Sequence, residues 1–260
     1  MKLLRNLQRA LLNRDPSFCD MAEDPPCREI ATEYLRHIRR HLREGFGDRR
    51  LAMLDAGCQA GRLLIPLAQE GHRMIGLDTS GFALRRAAQH AKPDRLPIRL
   101  QRGDIAHLRR WINPESLDAV VCTEVLYLCQ DYHQLLQRLI EAVRPGGLLF
   151  VSHRPALYYV ATAVRRGRPD QAASVARRSD GPSPDGEYHN WQTAEQLTVL
   201  YRGLGLALLG CYPIDLIHMP LELSTVADAR VSAMLEPVRE DGAQFQIPTY
   251  LLVVARKPVR

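Results

Sequence analysis

Residues 51–68 constrain the fold of this chain more than any other stretch. Their sequence is LAMLDAGCQAGRLLIPLA, with an apolar run at 51–54, a glycine-punctuated segment at 55–61 and a second apolar run from Leu63. This order predicts a short strand, a tight turn and the start of a packed helix. Because glycine has no Cβ, Gly57 and Gly61 allow the backbone to turn sharply and lie close to a ligand. The stretch therefore predicts a strand, turn and helix that can hold a nucleoside.

Two common nucleotide-binding loops do not fit this turn. A dinucleotide-binding loop has glycines at relative positions 0, 2 and 5, but counting from Gly57 places Gln59 and Arg62 at the second and third of them. A P-loop ends in Gly-Lys-Ser/Thr, whereas Gly61 is followed by Arg-Leu-Leu. Neither a dinucleotide-binding loop nor a P-loop is predicted here.

Strand-like and helix-like segments alternate along the rest of the chain, and Ser80 stands where it could cap a helix at 81–91. This alternation is typical of a parallel sheet with helices on both faces. The other predicted helices are 28–45, 194–204 and 220–240, and the predicted strands are 51–54, 73–77, 96–101, 117–122, 148–152, 206–212 and 246–255.

The segment 55–61, Asp-Ala-Gly-Cys-Gln-Ala-Gly, resembles the first motif, D/E-x-G-x-G-x-G, of the Rossmann-like (class I) S-adenosylmethionine-dependent methyltransferases, with Gln59 in place of the middle glycine. Four more family-like features follow in the family's order. They are Asp78 after the second strand, Asp104-Ile105 after the third, Thr123 in the loop after the fourth, and Arg144-Pro-Gly-Gly before the fifth. The resemblance implies a three-layer α/β sandwich with a mostly parallel seven-stranded sheet whose last strand is antiparallel.

The resemblance also implies S-adenosyl-L-methionine as the cofactor. An acid after the second strand accepts hydrogen bonds from ribose hydroxyls in such folds, the alternative for Asp78 being an acid at a helix entry. Asp104 would bind the exocyclic amine of adenine, with Ile105 against the ring. The implied cofactor-binding residues are Asp55, Gly57, Cys58, Gln59, Gly61, Asp78, Thr79, Asp104, Ile105 and Thr123.

Methyl transfer from a sulfonium requires little covalent help, because the leaving group is already activated. The enzyme must align the acceptor, exclude water and, where needed, remove a proton. The predicted catalytic residues are His153, Glu124 and Tyr127, with Tyr188 and His189 as further candidates. His153 follows the fifth strand and is expected to face the cleft; the alternative is a structural hydrogen-bonding histidine.

The predicted domains are an N-terminal basic helix with a linker at 1–27 and a methyltransferase domain at 28–260. Within the latter, the insertion at 153–192 is interpreted as a substrate lid, the alternative being a solvated surface elaboration. Its arginines favour an anionic acceptor. They are Arg165, Arg166, Arg168, Arg177 and Arg178.

Composition limits the class and the location of the protein. Apolar residues make up 46% and charged residues 25% of the 260, and no apolar run has the roughly 18 residues of a membrane span. The six cysteines form no C-x-x-C pair, which fits a reducing cytoplasm and predicts no metal site. Residues 1–14 form a basic amphipathic pattern. Such a helix either contacts an anionic membrane peripherally or docks on its own domain.

The sequence thus predicts a cytoplasmic S-adenosylmethionine-dependent methyltransferase that acts on an O or N atom of a small molecule. An RNA or protein methyltransferase of the same fold and a catalytically silent, methyltransferase-like partner subunit are the alternatives. Methylation of exocyclic base amines is disfavoured, because Thr123-Glu-Val-Leu replaces the Asn/Asp/Ser-Pro-Pro-Tyr/Phe tetrad of those members. Cys122 follows Val121 rather than proline, which disfavours methylation of cytosine carbon. Nucleic acid is favoured only by the net charge of +6 and the arginine-rich insertion.

Overall fold

The computed structural model describes residues 25–183, 186–240 and 244–259. The basic helix predicted at 1–14, and the membrane contact predicted for it, lie outside the described residues. None of the helices within the described ranges is long and apolar enough to cross a membrane.

Helices and strands alternate as the sequence predicts. The strands are β1 Ala52–Ala56, β2 Arg73–Asp78, β3 Ile98–Arg102, β4 Leu117–Cys122, β5 Val143–His153, β6 Asp180–Pro182, β7 Tyr188–Asn190, β8 Ala207–Pro220 and β9 Gln244–Arg256. The α-helices are α1 Pro25–Phe46, α2 Leu64–Gln69, α3 Gly81–Ala91, α4 Tyr132–Ala142, α5 Ala156–Arg165, α6 Pro169–Arg177, α7 Ala194–Gly203 and α8 Ala229–Leu235. The predicted cap of α3 is confirmed, since the Ser80 hydroxyl accepts a hydrogen bond from the Ala83 N–H at 3.2 Å.

Seven strands form one sheet in the order β3-β2-β1-β4-β5-β9-β8, and β6 and β7 form a separate antiparallel pair. Strand β1 pairs in parallel with both β2 and β4. The sheet is mostly parallel and its last strand is antiparallel, which confirms the predicted fold class. Four of the five β1 residues and five of the six β4 residues are buried, as expected for central parallel strands that are covered on both faces.

The chain packs as two compact units. Of the described residues, the first unit contains 25–123, 134–150 and 256–259, and the second contains 124–133 and the rest of 151–255. The first unit holds β1 to β4 with α1 to α3. The second holds α5 to α8 and a core in which Trp191 and Phe245 are almost wholly buried.

The structure differs from the prediction in several segments. Strand β5 begins at Val143 rather than at 148, so the Arg144-Pro-Gly-Gly segment predicted to precede the strand lies within it. The helix predicted at 220–240 is shorter, because Asp228 caps α8 at its N-terminus and Pro237 belongs to a separate 3-10 turn, Glu236–Val238. The sixth sheet strand, β8, continues to Pro220 rather than ending at 212. The insertion at 153–192 contains α5, α6 and the β6–β7 hairpin.

Candidate active site

The predicted cofactor turn at 55–61 lies in the first unit, directly after β1. Its backbone has positive φ at Gly57 (84°), Gln59 (44°) and Gly61 (95°). The Gly57 N–H donates to the Leu77 carbonyl at 2.7 Å, and the Gly61 N–H closes the turn on the Cys58 carbonyl at 2.8 Å. These bonds fix the turn against the carboxyl end of β2.

Close packing beneath the turn depends on a glycine that the sequence motif does not include. A Cβ built on Gly76, in β2, would lie 2.8 Å from Leu64 Cδ2 and 2.9 Å from Cys58 Sγ. Side chains do not approach a real Cβ so closely. The turn and the start of α2 can therefore rest on β2 only because residue 76 has no side chain.

Gln59 stands where the family motif has its middle glycine. Its φ of 44° is in the left-handed region, where a residue other than glycine is uncommon. Its side chain is exposed, and its backbone N–H donates to Asp78 Oδ2 at 2.9 Å. The turn therefore keeps the backbone conformation typical of glycine while the amide side chain points to solvent.

Asp78 holds the turn from the end of β2. Its Oδ1 accepts the Ser80 N–H at 2.7 Å, so each carboxylate oxygen accepts one backbone hydrogen bond. Burial raises the pKa of Asp78, while these N–H donors act in the opposite direction. A carboxylate oxygen has room for more than one donor. Asp78 thus contacts both the turn and the residue that caps α3, and its role toward ribose hydroxyls stays a prediction.

Asp55 lies beneath the same turn and is 2% exposed. Burial raises its pKa to about 7, and the nearby Asp78 carboxylate acts in the same direction. Arg62 and the Leu64 N–H lower the pKa of Asp55 and so oppose this effect. Burial likewise raises the pKa of the Cys58 thiol. Cys58 is 3% exposed, and its Sγ lies 3.8 Å from the Gln59 carbonyl oxygen, so the thiol packs beneath the turn.

The register of the parallel strands brings the next predicted residues to the same edge of the sheet. Asp78 pairs with Arg102 across β2 and β3, and the Gly103 N–H donates to the Asp78 carbonyl at 2.9 Å. Asp104 follows, exposed, with Oδ1 accepting the Ala106 N–H at 2.8 Å, and Ile105 beside it is buried. Of the other two implied residues, Thr79 is exposed and Thr123, after β4, is buried.

The predicted catalytic residues lie in the second unit, and two of them belong to one side-chain network. The Tyr250 hydroxyl donates to Glu124 Oε2 at 3.1 Å and accepts from Arg154 Nη2 at 3.2 Å. Arg154 Nη2 also donates to the Tyr127 hydroxyl at 3.3 Å. Tyr158 contributes its ring, at 4.4 Å from the guanidinium carbon. We call these five residues the Arg154 cluster.

His153 lies apart from that network. It is 0% exposed, and its Nε2 is 2.9 Å from the Tyr201 hydroxyl. Burial lowers its pKa to about 4, so the ring is neutral at pH 7. A role as the base stays a prediction, and these observations support the structural alternative.

The other aromatic candidates and the insertion arginines also lie in the second unit. His189 Nδ1 is 2.6 Å from the Tyr159 hydroxyl, whereas the Tyr188 hydroxyl donates to Asp180 Oδ2 at 3.4 Å. All five predicted arginines of 165–178 are exposed. Arg177 pairs with Asp228. No group of His, Cys, Asp and Glu that could hold a metal ion occurs among the residues the structure describes.

Sequence reasoning missed Arg154 and Tyr250. The sequence contains many arginines in 153–192, and their number alone does not distinguish Arg154 from the exposed ones. A signal was present, since a charged residue directly after an apolar strand stands at the carboxyl edge of the sheet, where ligands bind in open α/β folds. No such signal identifies Tyr250, which lies inside the long strand β9.

The methyltransferase-domain family model matches residues 54–151, which include the 55–61 turn, Asp78 and Asp104. Residues 54–151 therefore form a methyltransferase domain of the Rossmann-like, S-adenosylmethionine-dependent class, and the family resemblance is confirmed.

Curated relatives match this chain over only part of their own length. A ubiquinone biosynthesis O-methyltransferase of Methylobacterium sp. (strain 4-46) is 34% identical over 128 residues, which are 47% of this chain and 51% of that protein. The chain spans about half the length of the curated relatives it matches.

Solved structures agree over most of the chain, at low identity. An S-adenosylmethionine-dependent methyltransferase of Mesorhizobium loti is 24% identical, with a TM-score of 0.56 over 84% of this chain and 96% of that one. Magnesium protoporphyrin IX methyltransferase of Synechocystis PCC 6803, which holds S-adenosylhomocysteine, is 16% identical, with a TM-score of 0.57 over 87% and 82%. At these low identities, the two solved structures show that this chain shares their fold.

Proposed function

We propose that the chain binds S-adenosylmethionine and transfers its methyl group to an O or N atom of a small molecule. The observation that carries the proposal is the hydrogen bond between the Gln59 N–H and Asp78. It joins the 55–61 turn to the acid that follows β2, so that a backbone turn and a carboxylate stand side by side at the ligand-binding edge of the sheet.

The residues present fit the cofactor. Asp78 Oδ1 and Oδ2 each have acceptor capacity for a ribose hydroxyl. Asp104, exposed one strand further along, would accept the exocyclic amine of adenine, and Ile105 would contact the ring. When bound, the cofactor supplies the activated methyl group; the chain orients it and excludes water.

The acceptor is proposed to be small, because the relatives matched over half their length are named as ubiquinone biosynthesis O-methyltransferases. We further propose that 153–192, with α5, α6 and the β6–β7 hairpin, selects that acceptor. A cytoplasmic location is part of the proposal, because the six cysteines of the sequence form no C-x-x-C pair.

Calorimetric titration with S-adenosylmethionine and S-adenosylhomocysteine tests the cofactor proposal. We expect micromolar binding by the unmodified chain and a loss of roughly 100-fold or more when Asp78→Ala and Asp104→Ala are combined, because two charge-assisted hydrogen bonds are removed. Asp48→Ala, which removes an exposed aspartate from the loop after α1, is the control and should bind normally. Unchanged binding by the double variant would overturn the assignment of both acids.

A catalytically silent partner subunit is a second candidate, because Gln59 replaces the middle glycine of the family motif. A folded chain that binds neither form of the cofactor would support this second function. Circular dichroism of the same samples establishes that the chain is folded. An RNA methyltransferase would instead show RNA affinity that falls steeply with salt concentration.

A further inference from the structure

A groove opens on the first unit at the amino ends of strands β1 to β4, opposite the edge that carries the 55–61 turn. Its volume is about 580 Å³, and its lining includes residues at the start of each of these four strands, from Ala52 in β1 to Leu117 in β4. Small-molecule sites usually have volumes of about 300–1,000 Å³. The groove is therefore large enough for a ligand and lies apart from the predicted cofactor site.

Two arginines line this groove side by side. Ile75 in β2 pairs with Arg99 in β3, and Arg73 precedes Ile75 by two residues, so both arginines lie on the same face of the sheet. The spacing and rise of strands place their Cα atoms about 8 Å apart. Both residues are exposed, and neither guanidinium forms an ion pair or a hydrogen bond within the described part of the chain. Their donors are available to a ligand.

The protein supplies no negative charge to the groove. No acid among the described residues lines it. The acids that are close along the chain are engaged elsewhere, since Asp94 accepts from Gln69 Nε2 at 2.9 Å and Glu115 pairs with Lys257 Nζ at 3.0 Å. A surface lined by charge of one sign attracts ions of the other sign. The forked donors of arginine match phosphate oxygens, so two neighbouring arginines favour a phosphate group.

An indole ring stands in the same groove. Trp111 is half-buried and directly follows the 3-10 turn Ile105–Arg110. Its ring rests on Gly103, because a Cβ built there would lie 2.6 Å from Trp111 Cζ3 and 2.8 Å from Cζ2. This packing fixes the ring in place, and an aromatic ring beside cationic side chains is the combination on which nucleic-acid bases stack. Asn113, exposed in the same lining, offers amide donors and an acceptor to a base edge.

We propose that this groove binds a nucleoside monophosphate. The phosphate lies between Arg73 and Arg99, and the base packs against the Trp111 ring. Arg73 begins β2 and Asp78 ends it, about 17 Å away, so this site is separate from the one proposed for the cofactor. The proposal goes beyond the methyltransferase function and does not depend on it, because it uses none of the residues assigned to the cofactor.

The experiment is calorimetric titration of the full chain with guanosine 5′-monophosphate, with guanosine as the base without phosphate and with inorganic phosphate as the anion without a base. S-adenosylhomocysteine is present throughout, so that the cofactor site is not free for the nucleotide. We expect guanosine 5′-monophosphate to bind at least 10-fold more tightly than either comparison compound. Arg73→Met and Arg99→Met should each weaken its binding roughly 5- to 30-fold and change guanosine binding less than about threefold. Arg85→Met, which removes an exposed arginine on α3 outside the groove, is the matched control.

Tryptophan fluorescence locates the base. The chain has two tryptophans, and Trp191 is buried in the second unit. Guanosine 5′-monophosphate should quench the emission of the unmodified chain, because the base stacks on Trp111. Trp111→Phe keeps an aromatic ring, so it should bind the nucleotide within about threefold of the unmodified chain but show no quenching.

Equal affinity for guanosine 5′-monophosphate and either comparison compound would overturn the proposal. So would nucleotide binding that is unchanged when Arg73→Met and Arg99→Met are combined in a chain shown to be folded by circular dichroism, or quenching that persists in Trp111→Phe. Binding of an RNA oligonucleotide without binding of the free nucleotide would also overturn it. Cofactor binding without nucleotide binding would overturn this inference alone, whereas nucleotide binding without cofactor binding would overturn the methyltransferase function and leave this site in place.

Discussion

The 55–61 turn and the Arg154 cluster both surround buried charge, but they hold it with different parts of the chain. In the first unit, Asp78 is held by backbone N–H groups of Gln59 and Ser80. In the second unit, Arg154 is held by tyrosine rings and hydroxyls. The turn is therefore defined by backbone geometry and the cluster by side-chain chemistry.

We propose different tasks for the two regions on the basis of this difference. The donors of the 55–61 turn belong to the main chain, so a substitution within the turn that keeps its backbone conformation keeps those donors. A side-chain cluster changes its contacts with a single substitution. Binding a shared cofactor suits the first arrangement, and holding the interior of the second unit together suits the second.

The largest expected effect breaks the backbone turn. A Cβ at Gly61 would lie 2.6 Å from Ile65 Cγ1, at a φ of +95°. We expect Gly61→Ala to lower the free energy of unfolding by about 3 kcal/mol, roughly half from the left-handed backbone and half from overlap. Urea denaturation followed by circular dichroism measures this change.

Gly71→Ala is the matched control for that variant. Gly71 has a similar φ of +90°, but the nearest atom to its Cβ would be Arg50 Nε at 3.5 Å, an ordinary contact. This variant should lose only the backbone contribution, about 1–2 kcal/mol. Equal losses in the two variants would contradict tight packing of the turn.

The buried acid beneath the turn predicts a pH dependence. Burial raises the pKa of Asp55 to about 7, whereas an aspartate in an unfolded chain titrates near 4. The folded state therefore holds a proton that the unfolded state has lost between about pH 4 and 7. Stability should fall as pH rises through this window and level off above it. At pH 8, Asp55→Asn should be more stable than the unmodified chain by about 2 kcal/mol.

The measurement is the difference in Tm between Asp55→Asn and the unmodified chain from pH 5 to pH 8. Burial lowers the pKa of His37 and of His153 to about 4, so these two histidines make the stability of each protein rise with pH. Both proteins contain the same histidines, so this contribution cancels in the Tm difference. The difference should increase with pH. Asp48→Asn, at an exposed position, is the control. Parallel curves for Asp55→Asn and the unmodified chain would show that Asp55 is ionised throughout.

The sequence predicts the 55–61 turn and Asp78 well, because the residues that define them lie close together along the chain. A strand, a glycine turn and an acid after the next strand are consecutive features, and hydrophobic runs locate the strands that carry them. Asp78 and the turn come together through the parallel register of β1 and β2, which follows from the fold class. Residues 55–61 and Asp78 could therefore be placed without a structure.

The second region could not be predicted in this way because its contacts are distant along the chain. Arg154 meets Tyr250, 96 residues away, and Tyr250 meets Glu124, 126 residues away. No periodicity connects such positions. His153 illustrates the same limit, since its position after β5 predicts a residue facing the cleft and only the packing against Tyr201 reveals its burial.

A smaller effect is expected when the side-chain network is cut. Tyr250→Phe removes the hydroxyl that links Arg154 to Glu124 and should cost about 1–2 kcal/mol of stability. Tyr158→Phe is the control and should cost less than about 0.5 kcal/mol, because the Tyr158 hydroxyl makes no hydrogen bond within the described part of the chain. Urea denaturation of both variants provides the comparison. Equal effects would show that the rings, and not the hydroxyls, hold Arg154.

The smallest effect, at Gln59, tests whether the turn depends on its backbone alone. Gln59→Gly removes the conformational cost of a left-handed non-glycine residue, about 1–2 kcal/mol, but it also raises the conformational entropy of the unfolded chain. We therefore expect the free energy of unfolding to rise by only about 0.5 kcal/mol. Cofactor affinity should stay within about threefold, because glycine keeps the N–H that donates to Asp78. Gln59→Ala, which keeps the Cβ, should match the unmodified chain in both measurements. A large loss of affinity in both variants would mean that the Gln59 side chain itself binds the cofactor. The turn would then depend on side-chain chemistry, as the Arg154 cluster does.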